Sequence, residues 1–250
     1  MANSSSPDII RSKLEAVASK LVASYGVPRR KSRLPEPLHL LIATILSQNT
    51  NDVNSHRAFL NLKHAYPDLR ALVTVPPRRI ESLIKVGGIA SKKSKVIVRV
   101  IKEISKRFKK FDRRSLRRIG RAELVEKLRS LHGVGYKTAS CVLLFSLGDD
   151  DAFPVDTHVH RVLNRIGLVD QKTPDKTFLA VRNHIPPGRG YDLHLNLIKF
   201  GRRTCTAQKP RCYECGLYDI CGWKEKIHQE PQMKKGNTKK NVDFMLLESV

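Results

Sequence analysis

Four cysteines near the C-terminal end of the sequence could together hold a metal centre. Cys205, Cys212, Cys215 and Cys221 lie within 17 residues, in the spacing Cys-x6-Cys-x2-Cys-x5-Cys. Four thiolates can bind one structural zinc ion or a [4Fe–4S] cluster. Zinc sites usually pair two short Cys-x2-4-Cys hairpins, and only Cys212 and Cys215 form such a pair here. The spacing therefore favours iron–sulfur modestly and leaves zinc open.

Disulfide bonds are the third interpretation of these cysteines. They are typical of small secreted chains, whereas this sequence has 250 residues, a fifth cysteine and no apolar signal segment at its start. The fifth, Cys141, lies in the apolar run ASCVLLFSL and is expected to be an inert buried thiol.

The cysteine loop and the whole sequence are strongly basic. Lys209 and Arg211 lie between the first two cysteines of the loop. Lys and Arg number 47 and Asp and Glu 23, which gives a formal net charge of +24. Such an excess indicates a polyanionic partner, above all nucleic acid. The densest run, residues 106–121, has nine Lys or Arg and one Asp, and fits a solvated surface or a phosphate-contacting face equally well.

A glycine-containing turn followed by a lysine forms a second candidate site. Gly133 and Gly135 flank one valine in LHGVGYKTA, between two helical patterns. Such a turn can direct the first backbone N–H groups of the next helix at a phosphate, although a plain αα-corner also favours glycine. Lys137 falls on the first turn of that helix, where the helix dipole disfavours an ammonium. It could act as an amine nucleophile that forms a Schiff base, or simply contact phosphate.

A carboxylate lies 19 residues after this lysine. Asp156 stands immediately before an apolar-periodic run, where a helix should begin. Aspartate is a favoured N-cap, and this structural role needs no chemistry. A capping carboxylate stays ionised, however, so it could also stabilise a developing cation.

The elements that must position these residues all show helical periodicity. No segment alternates with period two, so the predicted fold is all-α. Apolar runs are too short to span a bilayer, and a polar, loose tail is expected from about residue 229. The helices are predicted at residues 9–25, 38–46, 52–65, 78–86, 91–108, 122–131, 137–147, 156–167, 174–184 and 191–205.

The sequence resembles the endonuclease III family of DNA glycosylase/AP lyases, which belongs to the helix-hairpin-helix superfamily. The resemblance covers about residues 35–225. It is carried by the stretches LHGVGYKTASCVL, FPVDTHVHRVLNRIGL and FGRRTCTAQKPRCYECGLYDIC, with ILSQNTND and VGGIASKKSKVI before them.

This resemblance implies two helical domains with a DNA-binding cleft between them. Residues 30–150 would form a six-helix barrel that carries the hairpin. Residues 1–29 and 151–228 would form the iron–sulfur domain, and residues 229–250 the tail. The four cysteines would bind one [4Fe–4S] cluster per chain. The partner would be double-stranded DNA with damaged bases or abasic sites. A monomer is expected, with no membrane association and a cytoplasmic, nucleoid-associated location, or a nuclear one in a eukaryote.

The resemblance also implies a mechanism. Lys137 would attack C1′ of a flipped-out nucleotide, and Asp156 would deprotonate the amine or stabilise the oxocarbenium ion. β-Elimination would then cut 3′ to the lesion, the lesion being an oxidised pyrimidine.

Further residues are assigned to DNA contacts by the same resemblance. Gly133 and Gly135 would grip the backbone, and Lys209 and Arg211 would meet phosphates. Ile89 and either Gln48 or Asn49 would fill the gap in the duplex.

Two positions depart from the family pattern. His132 stands where proline is common, and Tyr136 where arginine or another residue is common. Two other functions remain as alternatives. One is a monofunctional mismatch glycosylase, whose family members lack the hairpin lysine. The other is a non-catalytic DNA-binding iron–sulfur protein.

Overall fold

A computed structural model describes residues 7–228, and every regular element in that part of the chain is helical. This confirms the predicted all-α fold. None of the described helices is long and apolar enough to cross a membrane. The tail predicted from residue 229 lies outside the described residues. The helices are α1 (Pro7–Tyr25), α2 (Pro37–Leu46), α3 (Asp52–Ala65), α4 (Pro77–Ile84), α5 (Ala90–Arg107), α6 (Arg113–Leu116), α7 (Arg121–Arg129), α8 (Tyr136–Cys141), α9 (Thr157–Arg165), α10 (Pro174–Val181) and α11 (Gly190–Arg203).

Helix starts coincide with residues that satisfy or remove free backbone donors. Asn51, Asp112, Asp156 and Thr173 each precede a helix, and each side chain accepts a hydrogen bond from the backbone N–H three residues further on. Helices α2, α4 and α10 begin with proline, which has no N–H to leave unsatisfied. These caps place Asp156 at the first turn of α9.

Contacts between Cα atoms divide the chain into two compact units. One unit, Arg30–Asp149, contains α2–α8 and is called the hairpin unit below. Among the described residues, the other unit contains 7–29 and 150–228, with α1 and α9–α11, and is called the cysteine unit.

The hairpin unit is built around α2 and α5. Nine of the ten residues of α2 are buried, and the helix packs against α3, α5 and α8. Helix α5 turns Ile97, Val100 and Ile101 into the core, each no more than 2% exposed. Helix α8 continues without a break into a buried π-helical segment, Val142–Leu147, that the sequence pattern did not predict. The hairpin therefore leads into one of the most deeply buried elements of its unit.

The basic run of residues 106–121 has a structural role in the hairpin unit. Arg113 Nε donates to the carbonyl of Ser146 at 2.8 Å, and Arg117 Nε to that of Leu147 at 2.9 Å. Both carbonyls end the π-helical segment, where a helix is electronegative and favours cations. These two arginines therefore hold a helix end, a role that neither sequence interpretation included.

The cysteine unit joins the N-terminal helix to the C-terminal half of the chain. Helix α11 packs against α1 and α9. Lys13 Nζ on α1 donates to the carbonyl of Ile166 at 2.6 Å, and Asn196 Nδ2 on α11 donates to that of Gly26 at 3.1 Å. Residues far apart in sequence thus fix the ends of α9 and α1.

Gly190 begins α11 in close contact with the backbone of residues 150–152. Its N–H donates to the carbonyl of Asp150 at 2.6 Å. A Cβ atom here would lie 2.4 Å from the carbonyl oxygen of Ala152 and 2.6 Å from that of Asp150. Both obstacles are backbone atoms, so they cannot rotate away.

We expect Gly190→Ala to lower the free energy of unfolding by about 1–3 kcal/mol, because a well-packed backbone must shift. Gly120→Ala is the matched control, since a Cβ there meets nothing within 4 Å. It should cost less than about 1 kcal/mol as an N-cap change. Urea unfolding of both variants tests this, and equal losses would contradict the proposed clash.

Candidate functional site

The hairpin between α7 and α8 has one glycine in the left-handed region. Gly133 has φ +78°, and a Cβ there would lie 2.8 Å from Cγ1 of Val96 on α5. Gly135 has φ −96° and caps α8 without a side chain, with open space around it. The turn therefore needs glycine at 133 for both conformation and space. At 135 the glycine leaves the approach to the helix N-terminus uncovered.

Lys137 lies where the sequence placed it, on the first turn of α8. Its side chain is half-buried, while Tyr136 and Thr138 on either side are buried. The first backbone N–H groups of a helix have no acceptor within the helix. An amine and backbone donors that the helix itself does not use thus occupy one end of α8, an arrangement suited to an anionic ligand.

Helix α5 fixes the hairpin through hydrogen bonds to its backbone. Glu103 Oε2 accepts from the N–H of His132 at 2.8 Å, and Arg107 donates to the carbonyl of Ser130 at 2.7 Å. Burial favours a higher pKa for Glu103, but the bonds from His132 and Arg99 outweigh it and lower the pKa. Histidine in place of proline at position 132 therefore makes this bond possible, because proline has no N–H to donate to Glu103.

The second departure, Tyr136, is covered by a neighbouring cation. The guanidinium of Arg129 lies 3.5 Å from the ring centroid of Tyr136, which is 9% exposed. This is a cation–π contact between α7 and α8. The contact between Tyr136 and Arg129 therefore helps to hold together the two helices that flank the hairpin.

The two loops expected to enter DNA have strained backbones. Asn49 has φ 51° and Ile89 has φ 49°, and they are the two non-glycine residues of the described chain with positive φ. Both are exposed, Ile89 by 52% although it is apolar. Gln48 instead donates from Nε2 to the carbonyl of Gly133 at 3.2 Å. Asn49 is therefore the better candidate for insertion, and Gln48 ties its loop to the hairpin.

A buried lysine that the sequence analysis missed lies beneath these loops. Lys93 on α5 is 4% exposed, and its Nζ donates to the carbonyls of Leu46 at 2.7 Å and Gly87 at 2.8 Å. Burial lowers its pKa from 10.5 to about 8. The sequence did contain a sign of this burial, because Lys93 lies on the apolar stripe of α5 together with Ile97, Val100 and Ile104.

In the cysteine unit, Asp156 caps α9 as the sequence predicted. Its Oδ1 accepts from the N–H of Val159 at 2.8 Å, and the carboxylate is half-buried. Two residues further on, burial lowers the pKa of His158, against the opposing effect of the Asp156 charge. The capping bond uses only the Oδ1 atom of Asp156, and the side chain is partly exposed. The carboxylate can therefore cap α9 and still be available for chemistry.

Helix α9 also grips the cysteine loop through two arginines. Arg161 donates to the carbonyls of Cys205 at 3.0 Å and Gly201 at 2.7 Å. Arg165 donates to the carbonyl of Thr206 at 2.6 Å, approaches Sγ of Cys205 at 3.5 Å and stacks 4.2 Å from the ring centroid of Trp223. One helix therefore connects Asp156 at its start to the cysteine loop at its end.

All four loop cysteines face one recess. The recess has about 310 Å³ of empty volume, part of it open solvent, and its lining includes Arg165, Phe200 and Leu217. Burial raises the pKa of Cys205, and it raises that of Cys215 to about 11, so iron would have to displace their protons. Among residues 7–228, no three His, Cys, Asp or Glu side chains converge on a single-ion site. A cluster does not require this, because each iron of a [4Fe–4S] cluster takes one cysteine. A shared thiol-lined recess with an arginine beside it fits such a cluster.

The two basic residues of the loop differ in their surroundings. Lys209 is exposed, whereas Arg211 pairs with Glu214 at 2.5 Å. Lys209 is therefore the more available cation of the loop.

Comparison with known proteins identifies the family. Residues 42–187 match the HhH-GPD superfamily base excision DNA repair protein family, and residues 205–221 match the iron–sulfur binding domain of endonuclease III. Endonuclease III of Thermotoga maritima is 32% identical over 209 residues, which cover 83% of this chain and 92% of that protein. Endonuclease III of Escherichia coli K12 is 29% identical over 214 residues, with 84% and 95% covered. A trapped endonuclease III–DNA covalent intermediate superposes with a TM-score of 0.71 at 25% identity, covering 85% of this chain and 95% of that one.

The chain belongs to the HhH-GPD superfamily of base excision DNA repair proteins. It is an endonuclease III-like DNA glycosylase, and it carries a [4Fe–4S] cluster.

Replacing Arg165 should loosen the cysteine loop. We expect Arg165→Met to lower the free energy of unfolding by about 2 kcal/mol, because the carbonyls of Thr206 and Ala207 lose their donor. Iron per purified chain should fall as well. Arg182→Met, which removes an exposed arginine from the same unit, should change neither value. Full iron content and an unchanged unfolding midpoint in Arg165→Met would contradict this role.

Lys93 should give the stability a distinctive pH dependence. Its pKa is about 8 in the folded chain and 10.5 in the unfolded chain, so between these values the unfolded state binds more protons. The free energy of unfolding should therefore rise with pH across this window, by at most about 1.4 kcal/mol per pH unit from this one group. Lys93→Met should lack this contribution. Urea unfolding of both chains at pH values below and above the window measures the difference, and parallel pH profiles would contradict it.

Proposed function

We propose that the chain is a bifunctional enzyme of base excision repair, which removes oxidised pyrimidines and then cleaves the strand at the abasic site. The observation that carries this proposal is the half-buried Lys137 on the first turn of α8, directly after the Gly133 turn. The substrate is double-stranded DNA, engaged by a monomer. The proposal that the removed bases are oxidised pyrimidines rests on the similarity to proteins named endonuclease III.

Lys137 is the proposed nucleophile. Its Nζ forms a bond to C1′ of the damaged nucleotide as the bond from C1′ to the base breaks, and the base leaves with a proton. Opening of the sugar ring leaves a Schiff base between Lys137 and C1′. Loss of a C2′ proton then breaks the bond from C3′ to its oxygen, which cuts the strand 3′ to the lesion.

Asp156 is the proposed partner in the first step. Its carboxylate accepts a proton from the attacking amine or stabilises the positive charge that develops on the sugar. Lys137 and Asp156 belong to different units, so their joint role is proposed from the family resemblance, and the substitutions described below test it.

Asn49 and Ile89 are the proposed wedges that replace the extruded nucleotide. Strained backbone is retained at sites where it serves a function, and both residues present exposed side chains from left-handed positions. An apolar group and an amide can offset part of the lost stacking, a few kcal/mol in order of magnitude.

Phosphate contacts are proposed at two places. The hairpin of Gly133 and Gly135 offers backbone N–H groups to one phosphate. The cysteine loop offers Lys209, and it also offers Arg211 when the guanidinium exchanges its ion pair with Glu214 for a phosphate. Cys205, Cys212, Cys215 and Cys221 are the proposed cluster ligands. The bound cluster would hold this loop in shape and would take no part in the bond-breaking steps.

A monofunctional mismatch glycosylase is the second candidate. It is favoured by the thymine-DNA glycosylase of Aeropyrum pernix, which is 29% identical over 224 residues, with 84% of this chain and 95% of that protein covered. Such an enzyme needs no amine nucleophile, and Lys137 therefore favours the bifunctional assignment. Base release from a panel of duplexes that carry oxidised pyrimidines or G·T mismatches distinguishes the two functions.

Borohydride trapping on abasic-site DNA tests the lyase assignment. The intact chain should form a covalent adduct, and Lys137→Ala should lose it, with strand cleavage at least about 10³-fold slower. Lys102→Ala, an exposed lysine on α5, is the matched control and should trap normally. An undiminished adduct with Lys137→Ala would exclude Lys137 as the nucleophile.

Asp156→Asn separates capping from catalysis. Asparagine caps helices as well as aspartate, so the unfolding midpoint should hardly change. Base removal should nevertheless slow by about 10²–10⁴-fold, because the negative charge is lost. A variant with normal base release would leave Asp156 with the capping role alone.

A further inference from the structure

One buried ammonium group joins the two strained loops of the hairpin unit. Lys93 Nζ lies within 2.7 Å of the Leu46 carbonyl and 2.8 Å of the Gly87 carbonyl, and both hydrogen bonds are buried. Leu46 is the last residue of α2, and Gly87 ends the turn after α4. Two elements that are separate in sequence are thereby held together by two hydrogen bonds from one ammonium group.

The two carbonyls lie a short distance before the strained residues in the sequence. Asn49 follows Leu46 by three residues, and Ile89 follows Gly87 by two. The backbone N–H of Lys93 also donates to the carbonyl of Ile89 at 3.1 Å, so this residue contacts the Ile89 loop twice. On its other side, the Asn49 loop is tied to the hairpin by Gln48.

Left-handed backbone at non-glycine residues needs such support. Each instance costs of order 1–3 kcal/mol and persists only where the surrounding structure fixes it, and a β-branched residue such as Ile89 is the less tolerant case. The Lys93 side chain hydrogen-bonds the backbone ahead of both strained residues.

We propose that Lys93 is a positioning residue that fixes the Asn49 loop and the Ile89 loop relative to each other, so that both side chains enter the duplex as one unit. The inference rests on the proposed function, in which these two residues are the wedges. It assigns Lys93 no contact with DNA, because the ammonium is buried beneath the loops.

Base estrangement in a duplex that cannot react tests this role. A tetrahydrofuran abasic analogue is placed opposite 2-aminopurine, whose fluorescence rises when the base loses its stacking partners. The intact, cluster-loaded chain should raise the fluorescence. Lys93→Met should give less than about half of that rise at saturation, and should bind the analogue about 10- to 100-fold more weakly. Its affinity for an undamaged duplex should stay within about twofold.

Controls separate positioning from general stability. Ile101→Ala removes a core side chain of the same helix and should leave the fluorescence rise intact. Lys93→Gln keeps an amide donor on a shorter side chain, is less disruptive than Met, and should give an intermediate rise. With Asn49→Ala and Ile89→Ala already present, Lys93→Met should weaken binding of the analogue no further, because coupled residues are not additive.

Two results would overturn the inference. A wild-type chain that leaves 2-aminopurine stacked removes the wedge assignment and this role with it. A normal wild-type rise that Lys93→Met and Lys93→Gln both retain, or a Lys93→Met loss fully additive with the wedge substitutions, leaves the proposed function standing and removes only the role of Lys93.

Discussion

Helix ends in this protein depend on cationic side chains for their hydrogen bonds. The last carbonyls of a helix have no donor within the helix and carry partial negative charge, so a buried helix end must find donors elsewhere. In this protein, lysine and arginine side chains supply these donors at the ends of several helices. The pairs are Lys13 with Ile166, Lys93 with Leu46, Arg107 with Ser130, Arg113 with Ser146, Arg117 with Leu147 and Arg161 with Gly201. Part of the +24 charge is therefore structural.

This arrangement leaves the opposite ends of two helices open for function. Helix α8 begins after the Gly133 turn with N–H groups that have no acceptor within the helix and with Lys137, and α9 begins after Asp156. Cations close the far ends of both, through Arg113 at the end of the π-helical segment and Lys13 at the end of α9. The residues proposed for chemistry thus stand at electropositive helix starts, where a phosphate or carboxylate is stabilised.

The sequence predicted the elements whose signals are local. Glycine spacing predicted the hairpin, the residue before an apolar-periodic run predicted the cap at Asp156, and helical periodicity predicted the all-α fold. The cysteine spacing alone could not separate zinc from iron, and the family match at residues 205–221 was needed. The π-helical segment escaped prediction because a buried apolar run has the same composition in either helix type.

The features that the sequence could not reveal depend on distant contacts. The place of Lys93 on the apolar stripe of α5 can be read from the sequence, but its two carbonyl acceptors are known only once α2 and the turn at Gly87 are packed over it. Gln48 and Asn49 are equivalent in sequence, and only the bond from Gln48 to Gly133 distinguishes them. The charge of the 106–121 run predicted a surface role, whereas Arg113 and Arg117 serve carbonyls about thirty residues away.

The most direct test of the account is the identity of the residue that becomes attached to DNA. The borohydride-reduced adduct on abasic-site DNA can be digested and its peptides mapped by mass spectrometry. A single modified peptide is expected, with the sugar fragment on Lys137. A fragment on any other lysine, or on the N-terminal amine, would show that the hairpin helix does not supply the nucleophile.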